Sequence, residues 1–135
     1  MPDTLDTWLE TFMANHGAVA GTVHLHENGT LKLASWVNIP EKVRQLVAVV
    51  PYGKGMAGLA LERGEPVHTC NIKEDTSGNV KPGAKAVDAQ AAVAFPVRDD
   101  SGSITAVVGL AFPQERQWTE EELRGLTSAA SGFPI

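Results

Sequence analysis

A single cysteine, Cys70, is present, which excludes an internal disulfide and any CxxC pair for redox or zinc chemistry. Basic residues are outnumbered: 11 Lys and Arg stand against 16 Asp and Glu, for a net charge of -5. Nucleic acid and acidic membrane surfaces both call for a basic face, so neither is expected as a partner. No apolar run reaches the roughly 18 residues of a membrane span, and the first segment has no basic n-region. Neither a transmembrane helix nor a secretory signal is therefore read, and the cytoplasm is the expected location. His68 and Cys70 alternate on one strand but have no further metal ligands at suitable spacing, and no nucleophile has a neighbouring base. No catalytic residue, metal or cofactor is expected. There is no internal repeat and no low-complexity linker. What remains is an ordinary globular composition, 43% hydrophobic and 20% charged over 135 residues, enough for one domain spanning 1–135 with a real core.

The pattern of apolar residues divides that domain into elements. Leu5, Trp8, Leu9, Phe12 and Met13 recur at helical spacing and predict a helix over 4–15, capped by Asp3 or Thr4 and ended at Gly17. That stripe could pack on a sheet or on a second copy of the chain. Asn28-Gly29 predicts a two-residue hairpin turn, because a type I′ turn needs positive φ at both centres. The resulting register sets Val23, Leu25, Ala34 and Trp36 on one face, and His24, His26, Leu31 and Leu33 on the other. Both faces are partly apolar, so both are expected to be covered. The two histidines share a face and could hold a surface metal; the alternative is a half-exposed strand.

Further on, 38–45 reads as a short helix, LVAVVP as a buried strand, GMAGLALER as a helix stopped by Gly64, and PVHTCNI as a strand. Residues 73–90 lack periodicity and are read as either a binding loop or merely an irregular one. AAVAFPVRD and SITAVVGLAF form a second hairpin, with Pro96 at an edge or bulge. Thr119-Glu120-Glu121-Glu122 is a capping box that opens a terminal helix. Alternating helices and hairpins of this kind give an α+β fold: one central antiparallel β-sheet with helices on both faces.

One motif asks for more. GKGMAG, with Gly53, Gly55 and Gly58, fits the dinucleotide fingerprint G-x-G-x-x-G, and Glu74 and Asp75 follow about 20 residues on. The context refuses that reading. An antiparallel hairpin precedes the motif, Pro51-Tyr52 separates strand from glycine, the helix is short, and no βαβ series follows. Local physics remains. Glycines before a helix permit a tight turn and a close approach. The free N–H groups of the first helical turn suit a small anion or carbonyl, unless the glycines only make a turn.

On these residues the chain resembles a GAF domain. The similarity is carried by GTVHLHENGTLKLASW, YGKGMAGLALERGEPVHTCNI, AAVAFPVRDDSGSITAVVGLAF and TEEELRGL, with a core over about 17–126. The resemblance implies a GAF-like, PAS-related sheet with a ligand pocket on one face, and dimerisation through the terminal helices. Its nearest look is to stand-alone bacterial nitrate-receptor proteins. That similarity implies an anion such as nitrate on the amides of Met56 and Ala57, with Trp36 beside it; the Gly58 amide and Tyr52 are expected to complete the site. It further implies a small-molecule sensor acting with a signalling protein such as a sensor kinase. The alternative is a ligand-free dimerisation module. Free methionine sulfoxide reductases share the fold but use several cysteines; with only Cys70 a sulfenic acid has no resolving partner. The chain is therefore expected not to be an enzyme.

Overall fold

The computed structural model describes residues 3–69, 91–99, 101–112 and 119–129. Cys70 and the 73–90 stretch, on which several expectations fall, lie outside them. The elements run α1 (Asp3–His16), β1 (Ala20–Glu27), β2 (Thr30–Val37), α2 (Glu41–Val47), β3 (Val49–Pro51), α3 (Gly55–Arg63), β4 (Val67–Thr69), β5 (Ala91–Arg98), β6 (Ile104–Phe112) and α4 (Glu120–Ala129). Six strands form one sheet among the described residues, in the order β3-β2-β1-β6-β5-β4. Every pairing is antiparallel. The α+β architecture inferred from the sequence is the one observed. A parallel βαβ unit, which a dinucleotide fingerprint would open, is absent from these pairings.

The two faces of the sheet are packed differently. On one, Leu9, Phe12 and Met13 of α1 and Leu126 of α4 meet Val23, Val93, Phe95, Val97, Val108, Leu110 and Phe112. Each large side chain buried there contributes about 1.5–3 kcal/mol of transfer free energy. The ring of Phe12 lies 4.8 Å from Trp8, stacked, and 5.8 Å from Phe95, tilted. The apolar stripe of α1 is thus spent on the sheet of its own chain. Ser35, also fully buried, donates its hydroxyl to the carboxylate of Asp6 and ties β2 to α1. The opposite face carries α2 and α3, with Val43, Ala60 and Leu61 facing small residues such as Ala20, Ala92 and Ala94.

Local signals behave as their chemistry requires. Asn28 and Gly29 have φ of 51° and 80°, the two positive values of the expected turn. The hairpin register holds from Glu27↔Thr30 to His24↔Leu33 and then slips at a β-bulge, so that Val23 faces Ser35 and Thr22 faces Trp36. Ala34 is the extra residue. It sends Ser35, not Trp36, to the α1 face, and corrects the face assigned to Trp36. The run LVAVVP is not a buried strand: Leu46 and Val47 finish α2, and Val49 in the short edge strand β3 is 54% exposed. Pro96 lies beyond the β4 pairing of β5, on a part of the strand whose other side is an edge among the described residues, and stands opposite Val107 of β6. At α4, the Glu122 amide donates to the Thr119 hydroxyl at 3.1 Å and the Thr119 amide to the Glu122 carboxylate at 3.3 Å, completing the capping box.

Candidate functional site

Part of the second face lacks large residues. Along β5 and β6, Val93, Phe95, Val97, Val108, Leu110 and Phe112 point toward α1, while Val107 and the small Ala92, Ala94, Gly109 and Ala111 point the other way. With Ala20 and Thr22 from β1 these small residues leave a floor too low to meet α2 and α3. The result is a cavity of about 370 Å³, bounded by Ile39, Val43, Leu46 and Val47 around α2, by Val49, Val50 and Pro51, and by Lys54, Gly55, Met56 and Ala57. That volume lies in the lower part of the range of pockets for organic ligands. Leu46, 63% exposed, and Val49 stand at its open side.

The three glycines of GKGMAG are explained by the turn that leads into α3. Gly53 and Gly55 have φ of 79° and 65°. The Gly53 amide donates to the Gly58 carbonyl at 3.0 Å and the Lys54 amide to the Pro51 carbonyl at 3.1 Å. Gly58 has another role: a Cβ there would lie 2.5 Å from the Pro51 carbonyl oxygen. Its amide donates to the Lys54 carbonyl at 3.0 Å, the first bond of the helix. Met56 and Ala57 precede that bond, so their N–H groups have no acceptor within the helix, and α3 has no side-chain cap.

Of the five residues expected at the site, Met56 and Ala57 line the cavity. Gly58 does not, and its amide is already engaged. Tyr52 is 55% exposed and is not among the lining residues. Trp36 reaches the cavity's side of the sheet through the bulge, yet sits in a separate shallow recess with Asn38, Ile39 and Pro40. There the Arg44 guanidinium lies 5.0 Å from its ring centroid. Among the described residues no three metal-ligating side chains converge.

Sequence reasoning missed His24. It is buried, 3% exposed, and lines the cavity. Its Nε2–H donates to the Val47 carbonyl at 2.8 Å, which leaves Nδ1 as a bare lone pair, and that buried atom has no partner among the described residues. Burial holds the imidazole below its ordinary pKa of 6.5, outweighing the opposing bond to Val47. His26 differs: Nδ1–H donates to the Ile104 carbonyl at 2.9 Å and Nε2 accepts from the Gly29 amide at 3.1 Å, so it fastens the hairpin turn. His24 is buried and both ring nitrogens of His26 are engaged, so the two do not make a surface metal pair. The clue to His24 was its place in mid-strand, opposite Leu33 on a face that had to be covered.

The lowered pKa of His24 has a consequence for stability. The unfolded chain takes up a proton near pH 6.5, whereas the native imidazole does so only at lower pH. The contribution is therefore complete above 6.5 and is lost as pH falls toward the native value, at up to about 1.4 kcal/mol per pH unit. Urea midpoints measured from pH 7.5 down to about 5 should fall faster for the native protein than for His24→Gln, which keeps a donor for Val47 and cannot titrate.

The protein matches the family model for the GAF domain over residues 1–133. No match was found among curated proteins. Among solved structures, the chain is similar to a type II free methionine-R-sulfoxide reductase from Thermoplasma acidophilum, with a TM-score of 0.76, 16% identity, and 96% of this chain and 86% of the other covered. It is also similar to the GAF domain of a phosphoenolpyruvate-protein phosphotransferase from Coxiella burnetii, with a TM-score of 0.77, 16% identity, and coverage of 97% and 78%. A free methionine-R-sulfoxide reductase from Neisseria meningitidis, solved with its substrate, gives a TM-score of 0.75, 16% identity, and coverage of 96% and 72%. At such identities the likeness speaks for the fold alone.

These neighbours overturn the expectation that the chain is not an enzyme, since the fold it adopts serves reductases as well as regulatory domains. The count of cysteines excluded too much. One thiol rules out internal resolution of a sulfenic acid, but an external thiol can resolve it, and other chemistry needs no cysteine at all. The family model spans nearly the whole chain, the sheet and helices are those of its structural neighbours, and this protein belongs to the GAF domain family.

Proposed function

We propose that this domain is a small-molecule sensor whose ligand occupies the cavity between α2, α3 and the sheet. The observation that carries the reading is that cavity, roofed at one end by the first turn of α3. The amides of Met56 and Ala57 would receive an acceptor atom of the ligand, with the α3 dipole behind them. Trp36 and Tyr52 would act outside the cavity, at its surroundings. GAF domains are commonly regulatory, and the signalling partner, a sensor kinase or another protein, would read a change in the α2 and α3 face. Such a change requires that the ligand bind two states of the domain unequally. No helix among the described residues is long and apolar enough to cross a membrane, and we propose the cytoplasm as the compartment. A small anion such as nitrate would find the two amides and Lys54, while most of the cavity wall around it is hydrocarbon.

Thermal shift against nitrate, nitrite, sulfate, phosphate, cyclic nucleotides and amino acids tests sensing. A saturable rise in Tm that is lost in an Ala92→Leu variant, which fills the floor, supports it. A cavity found packed with the protein's own side chains in a crystal would end it.

The likeness to reductases favours a second reading, in which the Cys70 thiolate attacks a sulfoxide sulfur, taking its oxygen as a sulfenic acid and releasing the thioether, and an external thiol reduces the sulfenic acid to thiol and water. Incubation with free methionine-R-sulfoxide and dithiothreitol should then yield methionine. Equal yield from the native protein and Cys70→Ser would dismiss it.

A further inference from the structure

We infer that the ligand of this cavity is a neutral, mainly apolar organic molecule carrying one hydrogen-bond donor, and that the donor pairs with Nδ1 of His24. The inference rests on the sensing reading of the same cavity and gives it a ligand class.

Three observations lead there. The wall is hydrocarbon nearly throughout: Ile39, Val43, Val47, Val50, Met56 and the alanines of β5 and β6 face the space, and Thr22, His24 and Lys54 are the polar side chains among the lining residues. An ion placed in such surroundings forfeits its hydration and finds only Lys54 and the two amides at one end of the cavity to replace it. The exposed part of the wall is mainly apolar as well, since Leu46 and Val49 stand in water there beside Lys54. A domain that leaves such side chains in water beside a cavity presents a path for an apolar molecule.

The third observation fixes the polar group. The Val47 carbonyl accepts from Nε2–H, so the tautomer of His24 is determined and Nδ1 can only accept. A buried acceptor left without a donor costs about 1–3 kcal/mol, and among the described residues none meets it. A hydroxyl or N–H of the ligand would, once it displaces the side chains that close this buried atom off from water. A carboxylate or nitrate would set lone pair against lone pair. Thr22 adds a second polar contact on the floor: its hydroxyl lies so close above Gly109 that a Cβ there would approach it to 2.8 Å. The depressed basicity of His24 keeps the ring neutral, and therefore accepting, at neutral pH.

Four probes separate these terms: benzyl alcohol, its hydrocarbon isostere ethylbenzene, benzoate and nitrate. Calorimetry and thermal shift should show both neutral probes bound, with benzoate and nitrate weaker by at least about tenfold. Ala92→Leu should abolish binding of the neutral pair. With histidine labelled in 15N, benzyl alcohol should move the Nδ1 resonance of His24 toward that of a hydrogen-bonded nitrogen; ethylbenzene should leave it in place. This readout needs no His24 variant, so a failure to fold cannot obscure it. Binding of nitrate or benzoate in the cavity without binding of the neutral probes overturns the ligand class and leaves sensing intact. Neutral probes that bind but never move Nδ1 overturn the assigned pairing. A cavity occupied by the protein's own side chains overturns both the class and the sensing reading.

Discussion

Phe12→Ala should destabilise the folded chain by about 3–5 kcal/mol, whatever the protein concentration. The ring is 5% exposed, stacked on Trp8 and packed against Phe95 at the centre of the larger core. Removing it leaves a void between α1 and β5 that neither can close, because Leu9 and Val93 are already in contact with their own neighbours. The sequence allowed another meaning, in which Leu5, Trp8, Leu9 and Phe12 form the interface with a second copy. The two meanings part in one experiment. If the stripe were an interface, Phe12→Ala would lower the oligomeric state and leave monomer stability almost unchanged. If it is core, urea unfolding shifts by the full amount at every concentration, and Phe12→Leu recovers most of the loss because the volume change is smaller. Equilibrium unfolding at two concentrations about a hundredfold apart decides the matter.

The same stripe illustrates what could be read from the chain. Residues that meet their partners through local geometry were legible: the α1 period, the Asn28-Gly29 turn, the Gly64 stop and the Thr119–Glu122 box are each set by a few neighbours in sequence. Ala34 was not, because a bulge is decided by the fit of two strands, and its single extra residue moved Trp36 from the core face to the cavity's side. LVAVVP misled for a related reason. An apolar β-branched run reads as buried strand, yet here it forms the end of α2 and the rim of a cavity, where apolar side chains stay in contact with water. The cavity itself was written in the sequence as an alternation of size rather than polarity. In VGLAF (108–112) and AVAF (92–95) the large residues take one face and Ala or Gly the other. A scale that counts alanine and leucine alike as hydrophobic does not register it. His24 was hidden by the same blindness, as a polar residue whose burial depends on what two helices far along the chain place over it.

Gly58→Ala should cost about 1–3 kcal/mol and should also reshape the cavity, which makes it the sharpest probe of why the fingerprint exists. The added Cβ would lie 2.5 Å from the Pro51 carbonyl oxygen and 3.2 Å from the Gly53 nitrogen. Both contacts are backbone, so no side chain can swing away. The turn 51–54 must move outward or α3 must slide along its axis. Either shift strains the bonds from Gly53 to Gly58 and from Lys54 to Pro51, and with them the position of the Met56 and Ala57 amides. Gly55→Ala gives the contrasting case. It pays about 1–2 kcal/mol for a positive φ. Amide exchange of Met56 and Ala57, measured beside urea midpoints for both variants, separates the effects. If the motif exists to seat the helix against the turn, Gly58→Ala raises exchange at those amides far more than Gly55→Ala does at similar loss of stability. Equal exchange in the two variants would mean that Gly58 serves only the local packing of α3, and that the amides are held in place by the sheet beneath them.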